Sequence, residues 1–314
     1  MQILLTFDVE VWCNGSGAFP ESFRRYVYGA SRLGEYALPK ILDILRRHRL
    51  HGVFFVEPVF AARFGIEYLR RIVTLIRSAG QEIQLHLHSE WADDTMPLPL
   101  DGRIAKRQYL HHYNVEEQTA LIALGIRLLQ EAGAPRPSAF RAGNFGANRD
   151  TFRALERNGI RYDSSIDAAV PDSVPDLRHG VNVYAVSEIA NVVACPMSVF
   201  QDGSGRLRHA QVGACSSGEL LQAIRAASAL GWRQFVILSH NFEMLKLGST
   251  APDWIVYRRF TRVCDYLGQH AADLPTVGFD AVHVDAADRS VTLPTVGRLP
   301  TLRRYAEQTV RRFL

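Results

Sequence analysis

Apolar and polar positions alternate along the chain in a pattern that changes period many times. The first run, Ile3 to Trp12, is apolar with a β-strand composition until it reaches Asp8 and Glu10. Leu38, Ile41, Leu42 and Leu45 then follow helical spacing, with Pro39 suited to a first turn. "GVFFVEP" reads as a strand, and Leu69, Ile72, Val73 and Ile76 as a second helical stripe that Gly80 ends before "EIQLHL". Asn114 with Glu117 three residues on predicts a capped helix running to about Gly133, followed by "SAFRAG". Asn148 opens another that ends at Gly159 before "IRYDSS". Residues 181–199 read as two antiparallel strands, and helices are expected from Gly218 to Leu230 and from Asp253 to His270, with "QFVILSH" between them. The stretch from Asn14 to Leu33 reads as a loop.

Repeated β-then-α units favour a parallel (β/α) barrel over an open sheet. The polar residues fall at one place in each unit. Asp8, Glu57, His86, Arg141, Asp163 and His240 stand at C-terminal ends of expected strands, the face where such folds build their sites. With 314 residues, 47% hydrophobic content and no shift in composition, the chain reads as one domain over 1–314.

Charge adds little. The net charge is +4, almost all the positive side chains are arginine, and no basic strip interleaved with aromatics suggests nucleic acid. The densest basic segment is a C-terminal helix over about 300–314. There Leu302, Tyr305, Val310 and Phe313 can share a face apart from Arg303, Arg304, Arg311 and Arg312. The ordinary reading is a terminal helix packed on its own domain with a solvated basic face; the alternative is peripheral contact with a membrane surface. Four scattered cysteines and an N-terminus without a signal-like segment read as a cytoplasmic protein with reduced thiols.

Two clusters carry candidate chemistry. Asp8 and Glu10, two residues apart on a strand, project to the same side. In "EIQLHLHSEW", His86 and His88 share a side if the strand continues, whereas His86 and Glu90 do so if the chain turns helical. Imidazole and carboxylate together suit a divalent metal with a position left for water. Trp12 and Trp91 flank these motifs and can stack on a sugar or simply pack. His111 and His112 read as loop histidines.

The order "TFDVE", "QEIQLHLHSEW", "FRAGNFG", "RYDSS", "ILSHNFE" resembles the metal-dependent polysaccharide deacetylases, in a divergent form, from Met1 to about Phe242. The resemblance implies a distorted parallel (β/α) barrel of seven strands, here with a small β-hairpin insertion. It implies removal of an N-acetyl group from an amino sugar. Asp8 takes the place of the general base, and Val9 stands where the commonest form has a metal-binding aspartate, which leaves Glu10 as ligand. His86 matches the first metal histidine, and the third ligand is Glu90 or His88. Arg141 matches the arginine that holds the base ionised, and His240 the general acid. A backbone N–H near Asn144 or Phe145 is left for the oxyanion, with Asp163 as a supporting partner and Trp91 at the substrate. The implied cofactor is one divalent ion: zinc, or, given two carboxylates, manganese or another transition metal. The expected substrate is a nucleotide- or lipid-linked precursor of a surface polysaccharide such as lipopolysaccharide. The rivals are a hydrolase of small non-sugar amides and a non-catalytic sugar-binding relative.

Overall fold

In the computed structural model, which describes residues 1–12, 18–94, 107–170, 174–177, 181–282 and 291–313, the apolar N-terminal run becomes β1 (Gln2–Val9). After it come α1 (Phe19–Phe23), β2 (Ala30–Ser31), β3 (Gly34–Glu35), α2 (Leu38–His48), β4 (Val53–Val56), α3 (Phe60–Phe64) and α4 (Ile66–Ser78). The middle of the chain contributes β5 (Glu82–Leu87), α5 (Val115–Glu131), β6 (Ala139–Ala142), α6 (Arg149–Arg157), β7 (Tyr162–Asp163), β8 (Ser187–Ile189) and β9 (Val192–Ala194). The remainder is β10 (Val199–Gln201), β11 (Leu207–His209), α7 (Ser217–Ala229), β12 (Gln234–His240), α8 (Trp254–Gln269) and α9 (Arg298–Phe313). The α/β class expected from the alternation is therefore present. The chain divides into two compact units, one of Met1–Val53, Ser198–Gly278 and Val291–Leu314, the other of Phe54–Met197 and Phe279–Ser290.

In the first unit β1 and β12 pair in parallel, in a register that sets Asp8 beside His240. β1 is buried at every position from Ile3 to Val9, as a parallel strand covered on both faces must be. Phe7 meets Phe260 of α8 edge to face, with ring centroids 5.7 Å apart. Asp253 caps α8 by accepting from Ile255 N and Val256 N. The stretch expected to be a loop holds α1 and a following π-helical turn, Arg24–Tyr28. Phe19, Phe23 and Val27, four residues apart, are its buried stripe.

In the second unit β5, β6, β7 and β9 pair in parallel, with His86 opposite Arg141 and Phe140 opposite Asp163, and β8 is antiparallel to β9. The antiparallel pair expected within residues 181–199 is therefore present as β8 and β9. Its strands are shorter than the pattern suggests, and β9 also joins the parallel sheet, where its buried Val192–Ala194 pairs with β7. A separate antiparallel hairpin, β10 with β11 in the first unit, closes through a turn in which Asp202 Oδ1 accepts from Ser204 N and Arg206 N. Both asparagine caps hold, Asn114 in a box with Glu117 and Asn148 in one with Thr151.

The C-terminal helix also departs from expectation. It packs on its own unit, but through its polar side: Arg304 is buried, donating to Asp202 at 2.6 Å and to Glu219 at 3.0 and 3.1 Å. Both carboxylates are buried with it, and removing the guanidinium would leave them uncompensated. Arg304→Met is therefore expected to lower the unfolding free energy by roughly 3 kcal/mol, read from urea denaturation, while leaving the register of β1 with β12 intact.

Candidate active site

In the first unit, ligand-capable atoms of Asp8, Glu10 and His240 all lie within 4.8 Å of one another. The two-residue spacing on β1 does turn both acids to one side, and the parallel register brings β12 to them. His240 Nε2 stands 3.8 Å from Glu10 Oε1. The chain beyond β1 is pinned by Asn241, whose Oδ1 accepts from Glu10 N at 3.0 Å and whose Nδ2 donates to Glu10 O at 3.1 Å and to Tyr26 O at 2.6 Å. This side chain substitutes for a strand neighbour at the point where the sheet ends. Trp12 Nε1 donates to Glu10 Oε2 at 2.6 Å.

Glu243, which the sequence did not single out, controls His240. Its Oε1 faces His240 Nδ1 at 3.0 Å, and it also accepts from Gly213 N at 2.8 Å, Ser239 Oγ at 2.9 Å and Gln211 Nε2. A Cβ at Gly213 would stand 2.8 Å from the Glu243 carboxyl carbon, so only glycine lets this backbone come so close. Burial works to raise the Glu243 pKa, but the His240 hydrogen bond and charge, with those from Gln211 and Ser239, hold it below the ordinary carboxylate value. Burial of His240 works to lower its pKa; the Glu243 hydrogen bond and the charges of Glu10, Glu243 and Asp8 outweigh that and raise it to about 9. The ionised Glu243 only accepts, so His240 Nδ1 carries a proton and Nε2 is the nitrogen turned to the acids.

The sign of the pH effect follows. If His240 is the general acid that the resemblance implies, it must be protonated, and the rate falls as pH rises through its pKa. Glu243→Gln removes a carboxylate that favours the protonated ring. The alkaline limb of the pH–rate profile is expected to move to lower pH, with kcat at mildly alkaline pH down roughly tenfold. An unmoved limb would remove Glu243 from this role.

Beside this cluster lies a cleft of about 480 Å³, lined among others by Trp12, Tyr26, Phe242, Glu243, Leu245 and Arg311. The indole of Trp12 meets Phe242 at 6.4 Å, and Tyr26 meets the same ring at 5.5 Å, both edge to face. Trp12 remains 46% exposed, so one side of the indole is open to a ligand.

In the second unit His86 and His88 leave β5 on the same side, and their ligand-capable nitrogens are within 4.8 Å of each other. His86 Nδ1 faces Arg141 O at 2.9 Å; a carbonyl only accepts, so Nδ1 carries the proton and Nε2 keeps its lone pair. His88 Nδ1 faces Glu90 Oε2 at 3.2 Å, and Asn144 Nδ2 donates to Glu90 Oε1 at 3.0 Å. Burial works to raise the Glu90 pKa, but the hydrogen bond and charge of His88 lead the effects that hold it lower. Both histidines thus have Nδ1 oriented by an oxygen acceptor, the arrangement that fits imidazoles for a metal through Nε2. The chain turns into a 3₁₀ segment, Ser89–Asp94, only after His88, so the strand phase and not the helical one sets which residues share a side.

The Gly143–Phe145 turn follows β6 at the same end. A Cβ at Gly143 would meet the His88 ring at 2.8 Å. Asn144 and Phe145 have φ of 53° and 56°, left-handed values that a bulky phenylalanine seldom adopts and that cluster at functional turns. Arg141 is fully buried, donates to Ser164 O and Ser164 Oγ at 3.1 Å, and lies 4.2 Å from the Phe55 ring centroid. Burial raises the Asp163 pKa to about 6, against the opposing hydrogen bonds from Ser165 and the charge of Arg141. Ser165 Oγ donates to Asp163 at 2.6 Å and accepts from Ala142 N at 2.9 Å, so Asp163 fixes the end of β6.

The remaining marked residues have local work. Glu57 accepts from Val59 N at 2.8 Å at the start of α3. Trp91 packs edge to face on Phe60 and Phe64. His111 stacks on Tyr109, with ring centroids 5.0 Å apart, and His112 meets the same ring edge to face.

Comparison with known proteins gives the geometry a context. The family model for polysaccharide deacetylase matches residues 3–162. A solved structure of a protein assigned as a polysaccharide deacetylase from Mycobacterium smegmatis is 20% identical, aligned over 90% of this chain and 94% of that one, with a TM-score of 0.52. That likeness shows the fold. A family 4 carbohydrate esterase from Streptomyces lividans, in complex with acetate, is 14% identical over 87% of this chain and 90% of that one, with a TM-score of 0.43. A family 4 pseudoenzyme from Bacillus anthracis is 11% identical over 87% and 60%, with a TM-score of 0.41. A search of curated proteins found no match.

Proposed function

The chain belongs to the polysaccharide deacetylase family, and on that premise we propose that it hydrolyses the N-acetyl group of an amino sugar with the help of one divalent metal ion. The observation that carries this reading is the convergence of Asp8, Glu10 and His240 at the ends of two parallel strands. The donor set fits a metal: two imidazoles with Nδ1 already engaged, and carboxylates two residues apart. On the family resemblance we assign ligand roles to Glu10 and to His86 and His88, with Glu90 orienting His88 and not binding the ion itself. Such a set admits zinc, manganese or another transition metal. When bound, the ion supplies Lewis-acid polarisation of the amide carbonyl and makes a water more acidic.

The chain's own groups perform the proton transfers. Asp8 takes a proton from the attacking water. A backbone N–H in the Asn144–Phe145 turn donates to the developing oxyanion. His240, held protonated by Glu243, gives its Nε2 proton to the departing amine. Trp12, with one face open over the cleft, stacks on the sugar.

The substrate assigned is a cytoplasmic, nucleotide- or lipid-linked precursor of a surface polysaccharide. A panel of N-acetylated sugars, free, nucleotide-linked and lipid-linked, set beside simple acetamides, tests it by acetate release. Turnover of linked amino sugars above the acetamides is expected. Preference for the acetamides would make the protein a small-amide hydrolase, and no acetate from any member with metal supplied would make it a non-catalytic relative.

A further inference from the structure

The polar docking of α9 leaves the wrong face outside for an ordinary terminal helix. Its inward side is held by hydrogen bonds and ion pairs: Thr301 accepts from Gly203 N at 2.9 Å, Arg304 binds Asp202 and Glu219, and Arg311 binds Asp253 at 2.6 Å. Glu307, also turned inward, pairs with Arg259 at 2.7 Å. On the outward side Leu299, Leu302 and Val310 are 80%, 60% and 46% exposed, and Ala306 lies between them on the same stripe. Arg298 and Arg312 border the stripe and are exposed, while Arg303, also exposed, is paired with Glu307 at 2.8 Å. Burial of apolar surface normally turns such a stripe inward, so its exposure implies something that covers it.

We propose that α9 is an interfacial helix that lies on an anionic lipid surface. Leu299, Leu302 and Val310 would enter the boundary of the acyl chains while the bordering arginines engage lipid phosphates. Charge complementarity selects this occupant over a second copy of the chain, because two such faces would oppose arginine to arginine. The contact is peripheral: no helix among the described residues is long and apolar enough to cross a membrane.

The test is co-sedimentation of the full chain with phosphatidylcholine vesicles with and without phosphatidylglycerol. Each arginine near an anionic surface strengthens binding about fivefold, so binding to the anionic vesicles is expected to be at least tenfold tighter and to weaken with salt. Leu299→Glu/Leu302→Glu, at exposed positions, should abolish binding with circular dichroism and thermal unfolding unchanged, and Arg298→Gln/Arg312→Gln should weaken it. Failure of the wild type to prefer anionic vesicles would overturn the proposal. So would undiminished binding by the leucine variant, or a concentration-dependent dimer that this variant disrupts in place of vesicle binding.

Discussion

Asp8→Asn is expected to keep its metal and its fold while acetate release falls roughly a thousandfold, the scale of a lost general base. The amide matches the carboxylate in shape at a site that is 3% exposed, so packing is preserved. What it cannot do is accept the proton of the attacking water. Metal content by atomic absorption, thermal unfolding and acetate release on the same preparation separate the three effects. An active Asp8→Asn variant would displace Asp8 from the role of base, and a metal-free one would make it a ligand.

His86→Ala should have the opposite signature, with metal content falling below about a tenth of the wild-type value because one imidazole of the donor set is gone. The neighbouring residues sharpen this. His88→Ala should lose the metal likewise, whereas Glu90→Gln should retain it with affinity weakened by 10- to 100-fold, as expected of a residue that orients a ligand. The reason is geometric: both Glu90 oxygens are engaged, one by His88 and one by Asn144. Metal loss in Glu90→Gln together with retention in His88→Ala would reverse the assignment.

The parts of the site that the sequence disclosed are those governed by short periods. The alternation of a strand turns Asp8 and Glu10 to one side whatever surrounds them, and Asn114 and Asn148 announce their helices through contacts three residues away. His88 and Glu90 were ambiguous because the choice depends on where β5 gives way to a 3₁₀ turn, and both phases are compatible with the same letters. Glu243 and Asn241 were missed for a different reason. Their partners, Gln211 and Gly213 for one, Glu10 and Tyr26 for the other, are distant in sequence and meet only through the tertiary fold. The "HNFE" stretch after β12 offered the only local signal, an acid three residues beyond a strand-end histidine. In α9 the amphipathic pattern was visible, but not which side faces in. That was decided by Asp202 and Glu219, whose buried carboxylates draw Arg304 inward.

The most direct measurement is acetate released from an N-acetylated amino sugar by one preparation in three states: as purified, stripped with a chelator, and reloaded with a single divalent metal. Release that disappears on stripping and returns on reloading in proportion to the metal bound, approaching one ion per chain, is the expected result. Undiminished release from the stripped protein, or none from the fully reloaded one, would contradict the assignment of this chain as a metal-dependent deacetylase.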